Sequence, residues 1–172
     1  MRLFWIATAL GATSLLVALA LTGGRGGPGL EPFTPKGLMP FAIEDVREID
    51  VTVPHGRWHF MRSPYGWRAT EGITTAGFET RLDSALTLLR NSGPDRVLTE
   101  IEVKQVDAMQ FGLTPSRLRI VVSGRDASIF AISFGSANPM GLSHYARVDG
   151  SSEIALLPAF VAEAWERTGA SP

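Results

Sequence analysis

Three histidines and two groups of carboxylates are the side chains here whose types and spacing could carry chemistry. His55 and His59 are four residues apart, a spacing that would set two imidazoles on one face of a helix and suit a zinc ion. The segment alternates like a hairpin instead. One histidine then falls at the turn and the other on the outward face. No third ligand is close in sequence, and a zinc site needs three or four. Ser143, His144 and Asp149 have the residue types of a nucleophilic triad. Neighbours on a strand point to opposite faces, and no G-x-S-x-G turn carries the serine. These three are expected as ordinary polar side chains at the surface. Glu100 and Glu102, read as i and i+2 on a strand over Val97–Lys104, would share a face and could move a proton or hold a cation. The other side of that strand is apolar, so a solvated acidic face is expected. Glu44, Asp45, Glu48 and Asp50 make a second acidic group of the same kind. No catalytic, cofactor or metal residue is assigned. Cysteine is absent, which removes disulfides, thiolate metal sites and thiol nucleophiles.

Trp58, Phe60, Tyr65 and Trp67 crowd one short region. Aromatic residues are common at interface hot spots. Trp58 and Phe60 alternate as core residues, and Tyr65 and Trp67 are assigned to a partner surface.

The start of the chain gives an address. Leu3 to Leu21 carry no charge, and Met1-Arg2 precede them with a positive group. A helix of about 20 apolar residues spans the ~30 Å hydrocarbon core of a bilayer. Residues 1–24 therefore read as a transmembrane anchor, with Leu10, Leu15, Leu16 and Leu19 in the apolar body and Trp5 at an interface. Ala18-Leu19-Ala20 could instead be a signal-peptide cleavage site, but the run is longer than the usual ~7–15 residue apolar region. The retained anchor is the favoured reading. An N-terminal anchor with a two-residue tail exports the domain behind it, which places the chain in a bacterial inner membrane with its C-terminal domain in the periplasm.

Residues 25–41, with Gly23-Gly24-Arg25-Gly26-Gly27-Pro28-Gly29 just before and within them and Pro32, Pro35 and Pro40 after, read as a linker. No Gly-Lys-Ser/Thr follows, so these glycines are not a phosphate loop. Residues 42–168 suit one domain. The chain has 172 residues, 45% hydrophobic and 19% charged, with net charge -1. That composition supports a core and gives no basic footprint for nucleic acid.

The alternations Ile49–Val53 and Trp58–Met61 predict a hairpin, with a turn at His55-Gly56 that opposes Val53 to Trp58 and Val51 to Phe60. Tyr65–Ala69 follows as a strand. Phe78, Leu82, Ala85, Leu86 and Leu89 recur at helical spacing, with Thr75 as N-cap and Asn91-Ser92-Gly93-Pro94 as the stop. Val106–Phe111 reads as a short helical turn. Strands are predicted over Leu118–Val122, Ile129–Phe134, Ser143–Val148 and Glu153–Leu157. A final helix starts at Pro158, with Phe160, Val161, Ala164 and Trp165 on its apolar side. Strands followed by a helix, twice, predict an α+β domain of mainly antiparallel sheet with two packed helices and a weak internal duplication.

Phe111-Gly112-Leu113-Thr114-Pro115 before the Leu118–Val122 strand resembles the signature of the bacterial domain-of-unknown-function family 4340. Phe134-Gly135 followed by Tyr145-Ala146-Arg147 resembles that family's later strands. The Ile49–Val53 strand, the Gly66-Trp67 pair and the Phe78–Leu89 helix stand in the matching order, so the likeness spans most of residues 42–158. It implies an exported domain on one N-terminal membrane helix. Some relatives are similar to auxiliary components of gliding or export transporters of the ATP-binding-cassette class. The family has no established catalytic residues to carry over.

The expected function is a non-enzymatic accessory subunit of a larger membrane complex, whether transporter, respiratory or photosynthetic. The alternatives are a module binding an envelope ligand or peptide through strand edges or the Gly135–Gly141 loop, and an envelope hydrolase using Glu100 and Glu102 or His144.

Overall fold

Alternating side chains and two proline turns set up the first three strands. In the computed structural model, which describes residues 34–168, β1 (Val46–Val53), β2 (Gly56–Ser63) and β3 (Gly66–Glu71) form an antiparallel meander. The β1–β2 turn sits at Pro54-His55, and Val51 opposes Trp58 while Ile49 opposes Phe60. The register is two residues away from the expected one. Proline supplies the φ that the first central turn position needs and cannot donate to a ladder, so the turn forms on Pro54. A shift of two keeps every side chain on its expected face. Pro64-Tyr65 makes the next turn in the same way, with Ser63 opposing Gly66.

Helix α1 (Phe78–Asn91) buries Leu82, Ala85, Leu86 and Leu89, as its spacing predicts. Its N-cap is Gly77 in the left-handed region, not Thr75. Thr75 Oγ1 instead accepts from Arg81 Nη2 at 2.6 Å. The strand expected over Val97–Lys104 is also corrected. Only β4 (Arg96–Leu98) is extended, and α2 (Glu100–Lys104) follows it. Thr99 and Glu102 close a capping box at its start, in which each satisfies backbone or side-chain groups of the other. This makes three helices where two were expected. A 3₁₀ turn at Ala108–Phe111 ends on Gly112, as predicted.

β5 (Leu118–Gly124), β6 (Ile129–Ala137), β7 (Ser143–Val148) and β8 (Ile154–Pro158) form a second meander. The sheet runs β3-β2-β1-β5-β6-β7-β8-β4, and every pairing is antiparallel. Both meanders start inside the sheet, on the paired neighbours β1 and β5, and run outward in opposite directions. Helix α3 (Ala159–Glu166) buries Val161, Ala162, Ala164 and Trp165 and packs against α1. Phe160, expected on the buried side, is 48% exposed.

One core joins both helices to the inward residues of β1, β2, β5 and β6, including Ile49, Phe60, Ile120, Ile132 and Phe134. Strand parity puts Tyr145 and Ile154 on the opposite face. There they form a smaller cluster with Phe111, Leu113, Leu98 and Val103. Elsewhere that face mixes polar side chains such as Asp50, His59, Arg119 and Ser133 with Met61, Val121 and Ala131. Part of the expected linker belongs to the fold. Met39 is 2% exposed, and Leu38 and Phe41 pack on the core. Gly37 N–H donates to Arg90 O at 2.8 Å, and the Arg90 guanidinium donates to Phe41 O. Apolar side chains at 38, 39 and 41 outweigh the weak strand and helix preference of their neighbours. No helix among the described residues is long and apolar enough to cross a membrane. The expected anchor, residues 1–24, lies outside the described residues.

Candidate functional site

The groups with reactive potential are held in separate pairs. Ser143 Oγ donates to Asp95 Oδ2 at 2.6 Å, 48 residues away in sequence. His144, on the other face of β7, is 5% exposed, and its Nδ1 lies 3.3 Å from Gly135 O. It opposes Leu157 and sits inside the fold, contrary to the polar-surface expectation. It shares strand parity with Ala146, a core residue. Asp149 pairs with Arg119, whose Nη1 and Nη2 donate to both carboxylate oxygens at 2.9 and 2.5 Å. The three triad residue types thus have three different partners.

The Glu100/Glu102 pair does not form either. Glu100 Oε1 meets Lys104 Nζ at 2.5 Å along α2. Glu102 Oε2 accepts from Thr99 N–H at 2.8 Å, and its Oε1 accepts from Arg96 Nη2 at 2.6 Å. Asp50 lies between Arg57 Nη2 at 2.7 Å and His59 Nδ1 at 3.2 Å on the solvated face. His55 stands at the neighbouring turn tip, exposed. Asp45 of the acidic group reaches Arg125 at 3.5 Å. Among the described residues no group of three or more His, Asp or Glu side chains converges on a cation position.

Thr99 donation, then Arg96, holds the Glu102 carboxyl below the ordinary glutamate value of 4.5. A depressed folded-state pKa stabilises the fold above the unfolded value and loses that contribution as pH falls through the folded one. The α2 capping box is therefore expected to hold at neutral pH and to fray on acidification below the ordinary glutamate value. Carboxyl carbon shifts followed by NMR against pH, with amide exchange at Glu102 and Val103, check this. A Glu102 carboxyl that titrates at its ordinary value would show that the box does not form in solution. Asp149 is expected to titrate below the aspartate range for a related reason, the Arg119 hydrogen bonds.

The aromatic pair assigned to a partner surface divides. Tyr65, at the β2–β3 turn, is 96% exposed. Trp67 is 6% exposed and works inside the domain. Its Nε1 donates to Asp83 Oδ1 at 2.8 Å, its backbone N–H to Glu79 Oε2 at 3.1 Å, and the Arg62 guanidinium lies 4.6 Å above its ring. These contacts tie the edge strand β3 to α1, so Tyr65 is carried on a firm hairpin. Trp58 is half-buried and donates from Nε1 to Ile73 O at 2.9 Å. Phe60 is fully buried and stacks on Phe78 at 5.9 Å.

The Phe111–Pro115 and Phe134-Gly135 motifs meet in space. A Cβ on Gly135 would stand 2.0 Å from Phe111 O, and one on Gly112, at φ +61°, would stand 2.2 Å from Ser136 Oγ. The backbones can approach this closely only without side chains there. Beside them lies an open cleft of about 400 Å³ lined by Pro54, Gly112, Pro115, Arg117, Gly135 and Ser136. Arg117 Nη2 is engaged by Glu166 Oε1 at 2.5 Å. Neither the meeting of these motifs nor the cleft was legible beforehand, though two glycine-bearing motifs at fixed places were a signal for close backbone approach.

No family model, curated protein or solved structure matches this chain.

Proposed function

We propose that this chain is a non-enzymatic accessory subunit of a membrane protein complex, held in the bacterial inner membrane by one N-terminal helix and docking through a periplasmic domain. The observation that carries the reading is the uncharged Leu3–Leu21 run ahead of a complete sheet domain. Tethering raises the effective concentration of the domain beside a membrane partner. The engagement of Ser143, His144, Glu100, Glu102 and Asp149 in separate pairs supports a structural use for them. The likeness to family 4340, carried by short motifs and element order, points the same way. The mirrored meanders, each followed by a helix, are read as a weak internal duplication. Tyr65, exposed on a clamped hairpin, is the side chain proposed to meet the partner.

Complementation of a deletion strain tests this. His59→Ala, Glu100→Ala and Asp149→Ala are expected to complement at normal abundance, while the exported domain without residues 1–24 fails. His144 is a poor probe, because its burial would confound folding with chemistry. A photo-crosslinking residue at Tyr65 is expected to capture a membrane protein. A dead alanine variant at normal abundance, beside a working soluble form, would favour catalysis instead.

The cleft beside Gly135 favours one second reading, a module for a small envelope ligand or peptide. Under it, Ser136→Trp would block function without changing membrane retention or Tyr65 crosslinking.

A further inference from the structure

Apolar side chains that a fold leaves exposed usually have an occupant when they gather. Met140 and Leu142, at the β6–β7 loop, are 74% and 67% exposed, and Phe160 is 48% exposed. They share one corner, because Ala159 N–H donates to Leu142 O at 2.9 Å. We propose that Met140, Leu142 and Phe160 rest in the interfacial layer of the lipid bilayer to which the chain is anchored. This inference rests on the reading of residues 1–24 as a membrane helix.

Position is the first argument. The chain enters the domain at the end of α1, where Gly37 N–H donates to Arg90 O at 2.8 Å and Lys36 lies against Gly93. Two residues beyond Gly93, Asp95 accepts from Ser143 Oγ at 2.6 Å, and Ser143 adjoins Leu142. The apolar corner and the incoming chain therefore share one end of the sheet. Residues 25–33 can reach at most ~30 Å, at ~3.3 Å per extended residue. On the anchor reading, that tether limits how far the entry point, and the Met140 corner beside it, can stand from the bilayer.

Backbone accounting is the second argument. The fewer unpaired backbone N–H groups a loop carries, the more readily it enters the bilayer interface. Asn138 N–H donates to Ser143 O at 2.7 Å, and Gly141 N–H to Asn138 O at 2.8 Å. Asn138 Oδ1 accepts from the N–H groups of Leu142 and Ser143 at 3.0 and 3.3 Å. Pro139 has no N–H to satisfy. No Asp, Glu, Lys or Arg occurs between Ile129 and Ala146. The loop projects Met140 and Leu142 from a firm turn rather than lining a groove, which suits a fluid lipid surface better than a protein ridge.

The natural absence of cysteine makes the test direct. The full chain is reconstituted in vesicles of phosphatidylcholine and phosphatidylglycerol as M140C, L142C or I129C, each carrying an environment-sensitive fluorophore. Ile129 is 71% exposed and lies at the other end of β6, ~26 Å away at ~3.3 Å per residue. Labels at 140 and 142 are expected to shift to the blue and to lose emission to a lipid-borne quencher, while the label at 129 stays water-like. Water-like emission at all three sites, in a chain that floats with the vesicles and resists carbonate, would overturn the lipid contact and leave the anchor standing. Equal lipid quenching at all three would overturn it too. A chain that fails to float would remove the anchor reading, and this inference with it. Shielding of 140 and 142 from both lipid and aqueous quenchers in native membranes, without lipid quenching in vesicles, would assign the corner to a protein partner.

Discussion

Leu86→Ala is expected to destabilise the domain by ~2–5 kcal/mol. Leu86 is fully buried, with Leu82 and Leu89 on the same stripe of α1, where the helix meets both the sheet and α3. Its removal costs the transfer of its methyl groups and leaves a cavity that two helices and a sheet cannot close together. Thr80→Ala, exposed on the same helix, is expected to change stability by less than ~0.5 kcal/mol. Arg81 would be a misleading control. It reads as an outward residue in sequence, but its guanidinium donates to Thr75 Oγ1 and Ala76 O, fastening the loop ahead of α1. Urea denaturation of the three proteins gives the comparison. Equal losses for Leu86→Ala and Thr80→Ala would contradict the packing of α1.

Leu16→Arg is expected to cost ~2.5–3.5 kcal/mol of insertion if position 16 lies near the bilayer centre. On the anchor reading, no helix among the described residues is long and apolar enough to shelter the charge inside the membrane. Release from carbonate-washed membranes, with the domain still folded, is the expected result. A conservative Leu16→Ile change should leave the chain in the membrane. Wild-type protein that begins near Leu21 and washes off would show that the segment is a cleaved signal and would end the accessory-subunit proposal in its anchored form.

Much of the fold was legible because strand and helix periodicities are local. Ile49, Val51, Trp58 and Phe60 alternate, and they fall on the faces that alternation predicts. The same parity places His144 inward, beside Ala146, and Trp67 inward, beside Ala69. Residue type points the other way for both, to a polar and an interfacial side chain, and parity wins. Thr99-x-x-Glu102 was a visible helix-start signal that the alternation around it obscured. A capping box satisfies two helix-end groups at once, and in a segment only partly buried that outweighed strand propensity.

By itself the sequence determined the apolar N-terminal run, the antiparallel α+β class, the helical stripe of α1 and the lack of thiol chemistry. Each follows from spacing within a few residues or from composition. Tertiary structure alone decided that β1 and β5 pair inside the sheet and that β4 crosses to the far edge on β8. It alone drew Ser143 to Asp95 and Arg119 to Asp149, across 48 and 30 residues. It alone set the Met140 corner at the end where the chain enters. Such pairings follow from how one core closes over two helices, a condition on all the strands together that no short window of residues contains.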